Sequence, residues 1–164
     1  MSNDLTFYTK HIHDFIEKLK DCLIDRIELY IDDNPTFKNS EIPFDFKYCY
    51  SVGIFSSIEN FILHTATTET TCDTFWIEPL TKKNEPSDII QLYSKPRIIE
   101  IEYGHKNYPY KLKIEFETKT LILYAAEIYD TWNDKPDYKI NDEMILMFDD
   151  EKDSTIFETI INNR

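Results

Sequence analysis

Two short segments late in the chain constrain its fold more than any other feature. Ile99 and Ile101 alternate with Glu100 and Glu102; after a break near Gly104–Asn107, Leu112, Ile114 and Phe116 alternate with Lys111, Lys113 and Glu115. A period of two marks a strand with one buried face. Folded back as an antiparallel hairpin, the segments put Glu100 and Glu102 on the same face as Lys111 and Lys113. Opposite charges then meet across the strands and help to fix the register. The chain is therefore expected to contain an antiparallel sheet.

Other segments extend that sheet. A turn at Thr118-Lys119 leads into Thr120–Ile128, where Leu121, Ile122, Leu123 and Tyr124 are apolar on both faces, as in a central or helix-covered strand. Met144–Phe148 predicts a further strand, and Ile156–Ile161 a short terminal helix. Upstream, Phe44, Phe46, Tyr48, Tyr50, Val52 and Ile54 recur at every second position, which predicts a strand with one buried face. Phe61–Glu69 is rich in β-branched residues and reads as its hairpin partner. Ile54, Ile58, Phe61 and Ile62 also fit a helical stripe, with Ser56 and Glu59 as a capping box; the threonines at 65, 67, 68, 70 and 71 favour the hairpin. Thr81–Lys95, with Pro86, predicts a loop carrying a short helix over Ser87–Tyr93. At the N-terminus, Ile12, Ile16, Leu19, Leu23, Ile27 and Tyr30 recur at spacings of three and four. They predict one amphipathic helix, capped by Ser2, Asn3 or Asp4 and ended by Asp32-Asp33-Asn34-Pro35. The expected architecture is α+β in a single domain over 1–164: an N-terminal amphipathic helix packed on an antiparallel sheet of five or six strands.

Charge and composition narrow the chemistry. With 31 acidic and 18 basic residues the formal charge is −13, which opposes nucleic acid and anionic membranes and favours a basic protein partner. Cys22, Cys49 and Cys72 are odd in number and widely spaced, as expected of reduced thiols in a cytoplasmic protein. The N-terminus lacks a basic segment followed by an apolar run, and no apolar run is long enough for a membrane helix. Gly53 and Gly104 are the only glycines, so no phosphate-cradling loop, dinucleotide fingerprint or G-x-S-x-G elbow can be written. His11 and His13 lie two apart on a predicted helix and point about 200° apart, which does not suit one metal. Glu117-Thr118-Lys119, near Glu100, Glu102 and Glu115, matches the carboxylate–lysine sets of some metal-dependent nucleases; structural charges on a hairpin account for it more simply. The expectation is a protein that is not an enzyme, with no cofactor, metal or small-molecule substrate. The alternatives are a divergent metal-dependent hydrolase using Glu115, Glu117 and Lys119, and an acidic adaptor that mimics nucleic acid.

The most informative segment for function is the acidic one. From Glu127 to Asp153 the chain carries ten acidic residues against three lysines, with Tyr129, Trp132 and Tyr138 interleaved. Carboxylates pair with a partner's Lys and Arg, and rings supply anchors. Tyr129–Glu143 is thus the expected partner-binding segment, read as a loop between two strands. Asp130, Asp134, Asp137, Asp142 and Glu143 supply charge, and Trp132 or Tyr138 fills a pocket. A solvated loop whose Trp tucks into the core is the plain alternative. Glu69, Asp73 and Trp76 form a second place where acidic and aromatic residues meet.

The succession of an amphipathic helix, a meander RIIEIEY…YKLKIEFETKTLILYAAEIY, a tryptophan segment and the late strand NDEMILMFDDE resembles immunity proteins of bacterial contact-dependent inhibition and related polymorphic toxin systems. The resemblance spans most of the chain in style and element order rather than in a diagnostic motif. It implies a one-to-one complex with a cognate basic toxin domain, commonly a nuclease, whose active site is blocked.

Overall fold

Alternation of apolar and polar residues dominates the chain and strands dominate the fold. The computed structural model describes residues 3–38, 41–81, 85–131 and 135–163. Helix α1 (Asn3–Leu19) is followed by β1 (Ile24–Ile31), β2 (Lys47–Ser56), β3 (Asn60–Thr67), β4 (Asp73–Pro79) and β5 (Asp88–Ser94). Strands β6 (Ile98–Tyr103), β7 (Pro109–Glu115), β8 (Thr120–Tyr129) and β9 (Asp137–Phe148) come next, and α2 (Glu151–Asn162) ends the order. The fold is α+β, but its one antiparallel sheet has nine strands among the described residues, not five or six. The unforeseen strands are β1, β4 and β5.

The sheet runs β4-β3-β2-β9-β8-β7-β6, with β1 beside β2 and β5 beside β1. Strand β2 is a branch point. Its first residues, Lys47–Cys49, pair with β9; Val52–Phe55 pair with β3; β1 follows its other edge from Ile24↔Ser56 to Ile31↔Cys49. Each face of the sheet has its own core. One gathers Ile12, Phe15, Ile16 and Leu19 of α1 over Leu112, Leu121, Leu123 and Ile145. The other gathers Phe157 of α2 with Phe44, Tyr124, Tyr138 and Phe148. Consecutive residues of β8 alternate between the two cores, so this strand is apolar on both faces as the sequence predicted.

The β6–β7 hairpin has the expected register, Glu100↔Lys113 and Glu102↔Lys111. Its turn places Lys106 and Asn107 at φ of 52° and 66°, as in the primed turns whose twist suits a hairpin. Strands β2 and β3 form the predicted hairpin. The Ser56 hydroxyl accepts the amides of Ile58 and Glu59 and donates to the Glu59 carbonyl, so the apparent capping box is a turn.

Three expectations are corrected. The N-terminal helix stops at Leu19, and Ile24–Ile31 is a strand. A bulge at Asp25 keeps Ile24, Ile27 and Leu29 in one core although the first two lie three apart, which imitates a helical spacing. A second irregularity, at Tyr50, divides the predicted single face of β2: Phe44 and Tyr48 face the α2 core, whereas Val52 and Ile54 face the α1 core. Ser87–Tyr93 is not a helix; Asp88–Ser94 is β5, with Ile90 and Leu92 packed against the α1 core. Of the proposed helix caps, Ser2 lies outside the described residues. Asp4 lies within α1, and its carboxylate accepts the Glu69 amide at 3.0 Å and the Tyr108 hydroxyl at 2.7 Å.

Among the described residues no helix is long and apolar enough to cross a membrane. The three cysteines are free, and burial pushes the Cys49 thiol up to about 12.

Candidate protein-binding surface at the acidic end of the β8–β9 hairpin

The pairing of β8 with β9 breaks in the middle. Ala125 pairs with Ile145, but Ala126 pairs with Ile140, leaving Asn141–Met144 without partners on β8. Asn141 holds this bulge. It adopts a left-handed φ of 54°, which asparagine tolerates better than most residues. Its buried side-chain oxygen accepts the His105 amide at 2.7 Å, and its nitrogen donates to the Asp73 and Tyr108 carbonyls at 3.2 and 3.3 Å. One amide group thereby ties β9 to β4 and to the β6–β7 turn. A Cβ on Gly104 would lie 2.3 Å from that oxygen, so glycine is required here by the close approach. On the other side, the Thr65 hydroxyl of β3 donates to the Glu143 carbonyl at 2.7 Å.

The fixed bulge brings Asp142 and Glu143 to Glu127 of β8, with ligand oxygens of all three carboxylates within 4.8 Å of one another. Asp142 is only 7% exposed; it accepts the Tyr129 hydroxyl at 2.5 Å and the Glu143 amide at 2.8 Å. Lys139 stands 3.8 Å from it. Burial raises the Glu127 carboxyl above its ordinary value; the charges of Asp142 and Glu143 add to this, against a lowering bond from Tyr129. The Tyr129 phenol is also raised, first by burial and then by its bonds to Asp142 and Glu127.

A second pair of strands reaches the same place. The Tyr48 hydroxyl accepts the Ile128 amide at 3.2 Å. Burial raises its phenol, and the charges of Glu127, Asp32 and Asp142 push it in the same direction. Tyr50, 56% exposed, bonds to Asp32 and lies within the field of Asp33. Asp32, whose amide donates to the Tyr48 carbonyl at 2.9 Å, is thus tied to the residue that reaches the β8 backbone between Glu127 and Tyr129.

The expected binding residues divide. Asp130 is exposed just beyond β8, and Asp137 is exposed opposite Tyr129 at the start of β9. Glu143 is exposed on the bulge. Tyr138, 3% exposed, packs in the α2 core against Phe44 and Phe157 and supports the hairpin from beneath. Trp132 and Asp134 lie outside the described residues. The segment Tyr129–Glu143 is not one loop, because β9 begins at Asp137. Sequence reading missed Glu127 and Tyr50 as site residues, and took Asp32 and Asp33 for a helix terminator.

Other motifs do not converge. His11 stacks on Trp76, with ring centres 3.8 Å apart, and accepts the Ile77 amide at 3.0 Å; His13 meets the Tyr103 hydroxyl at 2.8 Å. Glu117 lies in the β7–β8 turn, and Lys119 stands 3.8 Å from Asp149. Among the described residues, Glu127, Asp142 and Glu143 are the one trio able to offer oxygens to a hard cation. Tyr129 and Lys139 already engage Asp142. Crowded carboxylates beside exposed tyrosines can receive Lys or Arg side chains and bury a ring against them.

Neither family profiles, curated proteins nor solved structures give a match to the chain.

Proposed function

We propose that this protein is an immunity-type inhibitor of the cytoplasm that binds a basic bacterial toxin domain one-to-one, and that this acidic face covers the toxin's active site. The observation that carries the reading is the crowding of Glu127, Asp142 and Glu143 within 4.8 Å on an anchored bulge. Repulsion among carboxylates is unfavourable to the free protein, and a partner's Lys or Arg offsets it. Tyr129, 38% exposed and bonded to Asp142, and Tyr50, 56% exposed, serve as ring anchors. The overall −13 speeds encounter with a cationic cleft. A mimic of nucleic acid would instead carry carboxylates at phosphate-like intervals along a face.

The test is titration with the toxin domain encoded immediately upstream of this protein's gene. A salt-sensitive one-to-one complex with Kd on the order of nanomolar, and loss of the toxin's activity, is the expected result. A toxin that stays free and active would overturn the reading.

A further inference from the structure

Strand β6 is an edge strand: among the described residues it pairs with β7 and with no other strand. Such an edge presents a row of backbone donors and acceptors, and long open edges are normally covered or paired. The side chains of β6 are organised in two rows. Ile99 and Ile101 are half-buried against the α1 core, while Glu100 and Glu102 are exposed on the other face.

The existing partner shows what chemistry β6 takes. Strand β7 places Lys111 and Lys113 opposite Glu102 and Glu100, and Leu112 and Ile114 opposite Ile101 and Ile99. The charges are not evenly matched, however. Lys111 contacts Glu102 at 2.7 Å and Glu158 at 3.0 Å, and Lys113 contacts Glu151 at 2.8 Å. Glu100 makes no ion pair among the described residues, so its carboxylate remains available to a cation on its open side. At the C-terminal end of β6, Tyr103 and Asn107 form one wall of a mainly apolar groove of about 540 Å³, with Leu5, Thr9 and His13 of α1 opposite. That groove gives apolar side chains at the end of an added strand a place to pack.

We propose that β6 accepts an extended segment of a partner protein, alternately basic and apolar, as a tenth strand. Main-chain hydrogen bonds to the open edge supply affinity. Lys or Arg opposite Glu100 and Glu102 fixes the register, and the alternate apolar residues extend the row of Ile99 and Ile101. The same two glutamates oppose pairing of β6 with β6 of a second copy, so the edge selects its partner by charge. This surface lies on β6 rather than on the β8–β9 bulge and does not depend on the identity of the toxin.

A fluorescein-labelled peptide with the sequence of Pro109–Glu115 tests it against the full chain, beside a scrambled peptide of equal composition. Expected are saturable binding of the alternating peptide and new hydrogen-exchange protection at Ile98–Tyr103. Glu100→Lys should weaken binding about fivefold, and the conservative Glu100→Gln about twofold, as expected of one cross-strand charge pair. Equal binding of the scrambled peptide would overturn the proposal. So would protection confined to β8–β9.

Discussion

The two halves of the β8–β9 hairpin differ in what their side chains meet. From Ile122↔Phe148 to Ala125↔Ile145, every residue enters one of the two cores. From Ala126↔Ile140 to Tyr129↔Asp137 the same strands carry Glu127, Lys139 and Asp137 toward solvent, beside a bulge bearing Asp142 and Glu143. The first half holds the sheet to its helices. The second presents charge to solvent, with Asp142 alone of its carboxylates buried. The bulge separates the two duties, because it ends regular pairing without ending the strands.

The first way to break this comparison is in the buried half. Phe157 of α2 packs against Phe44, Tyr124, Tyr138 and Phe148. Phe157→Ala should cost about 4 kcal/mol in urea unfolding; a cost under about 1 kcal/mol would mean that α2 contributes little.

The junction comes next. Asn141→Ala leaves the His105 amide without its acceptor and strips partners from buried carbonyls, at a cost of about 3 kcal/mol. Gly104→Ala should be harmful in the wild-type chain and less harmful beside Asn141→Ala, since the closest clash is with the Asn141 oxygen at 2.3 Å, while Ile140 and Tyr110 carbons at 3.0 Å remain. Additive effects in that double-mutant cycle would contradict the junction described above.

A smaller effect concerns α1, which covers the edge of β4 through His11. Burial lowers the His11 pKa from its ordinary value of 6.5; the charges of Asp14 and Glu78 oppose this, while His64 adds to it. The folded state therefore favours neutral imidazole. Its contribution is present above the unfolded pKa and is lost as pH falls from about 6.5 through the lower folded value. Between pH 7.5 and 5.5, His11→Gln should remove about 0.5 kcal/mol of pH-dependent stability, after allowance for solvent screening. Identical pH profiles for the two proteins would exclude His11 as the titrating group.

The smallest effect belongs to the acidic half. Glu127 is raised by burial and by neighbouring carboxylates, so its charged form opposes folding at neutral pH. Glu127→Gln should stabilise by a few tenths of a kcal/mol, roughly, for a partly exposed group. A loss of stability would show that the carboxylate serves the fold.

How much was legible in the sequence follows from how local each cause is. The β6–β7 pairing was legible because alternation and cross-strand charge both specify it, in segments close along the chain. Strand β1 was not, because the bulge at Asp25 gave Ile24 and Ile27 a helix-like spacing. Strand β5 was hidden for a different reason: only one of its faces packs and its partner lies more than fifty residues earlier. The acidic segment announced itself by composition, which identified Asp130, Asp137, Asp142 and Glu143 as candidates but could not separate exposed carboxylates from buried Asp142. It also could not place Tyr138 in the core. Asp32 is tied to Tyr48, and Tyr48 to the β8 backbone, only through the pairing of β1 with β2 and of β2 with β9, a long-range consequence of topology.

Association kinetics with the proposed toxin partner test the central claim most directly. The triple variant Asp130→Asn, Asp137→Asn, Glu143→Gln removes exposed charge and should leave the melting temperature within about 2 °C of wild type. Exposed charges chiefly steer encounter, so its on-rate at low salt should fall by about tenfold or more, and the dependence of that rate on salt should flatten. An unchanged on-rate and salt slope, with the fold intact, would contradict the assignment of this face to a basic partner.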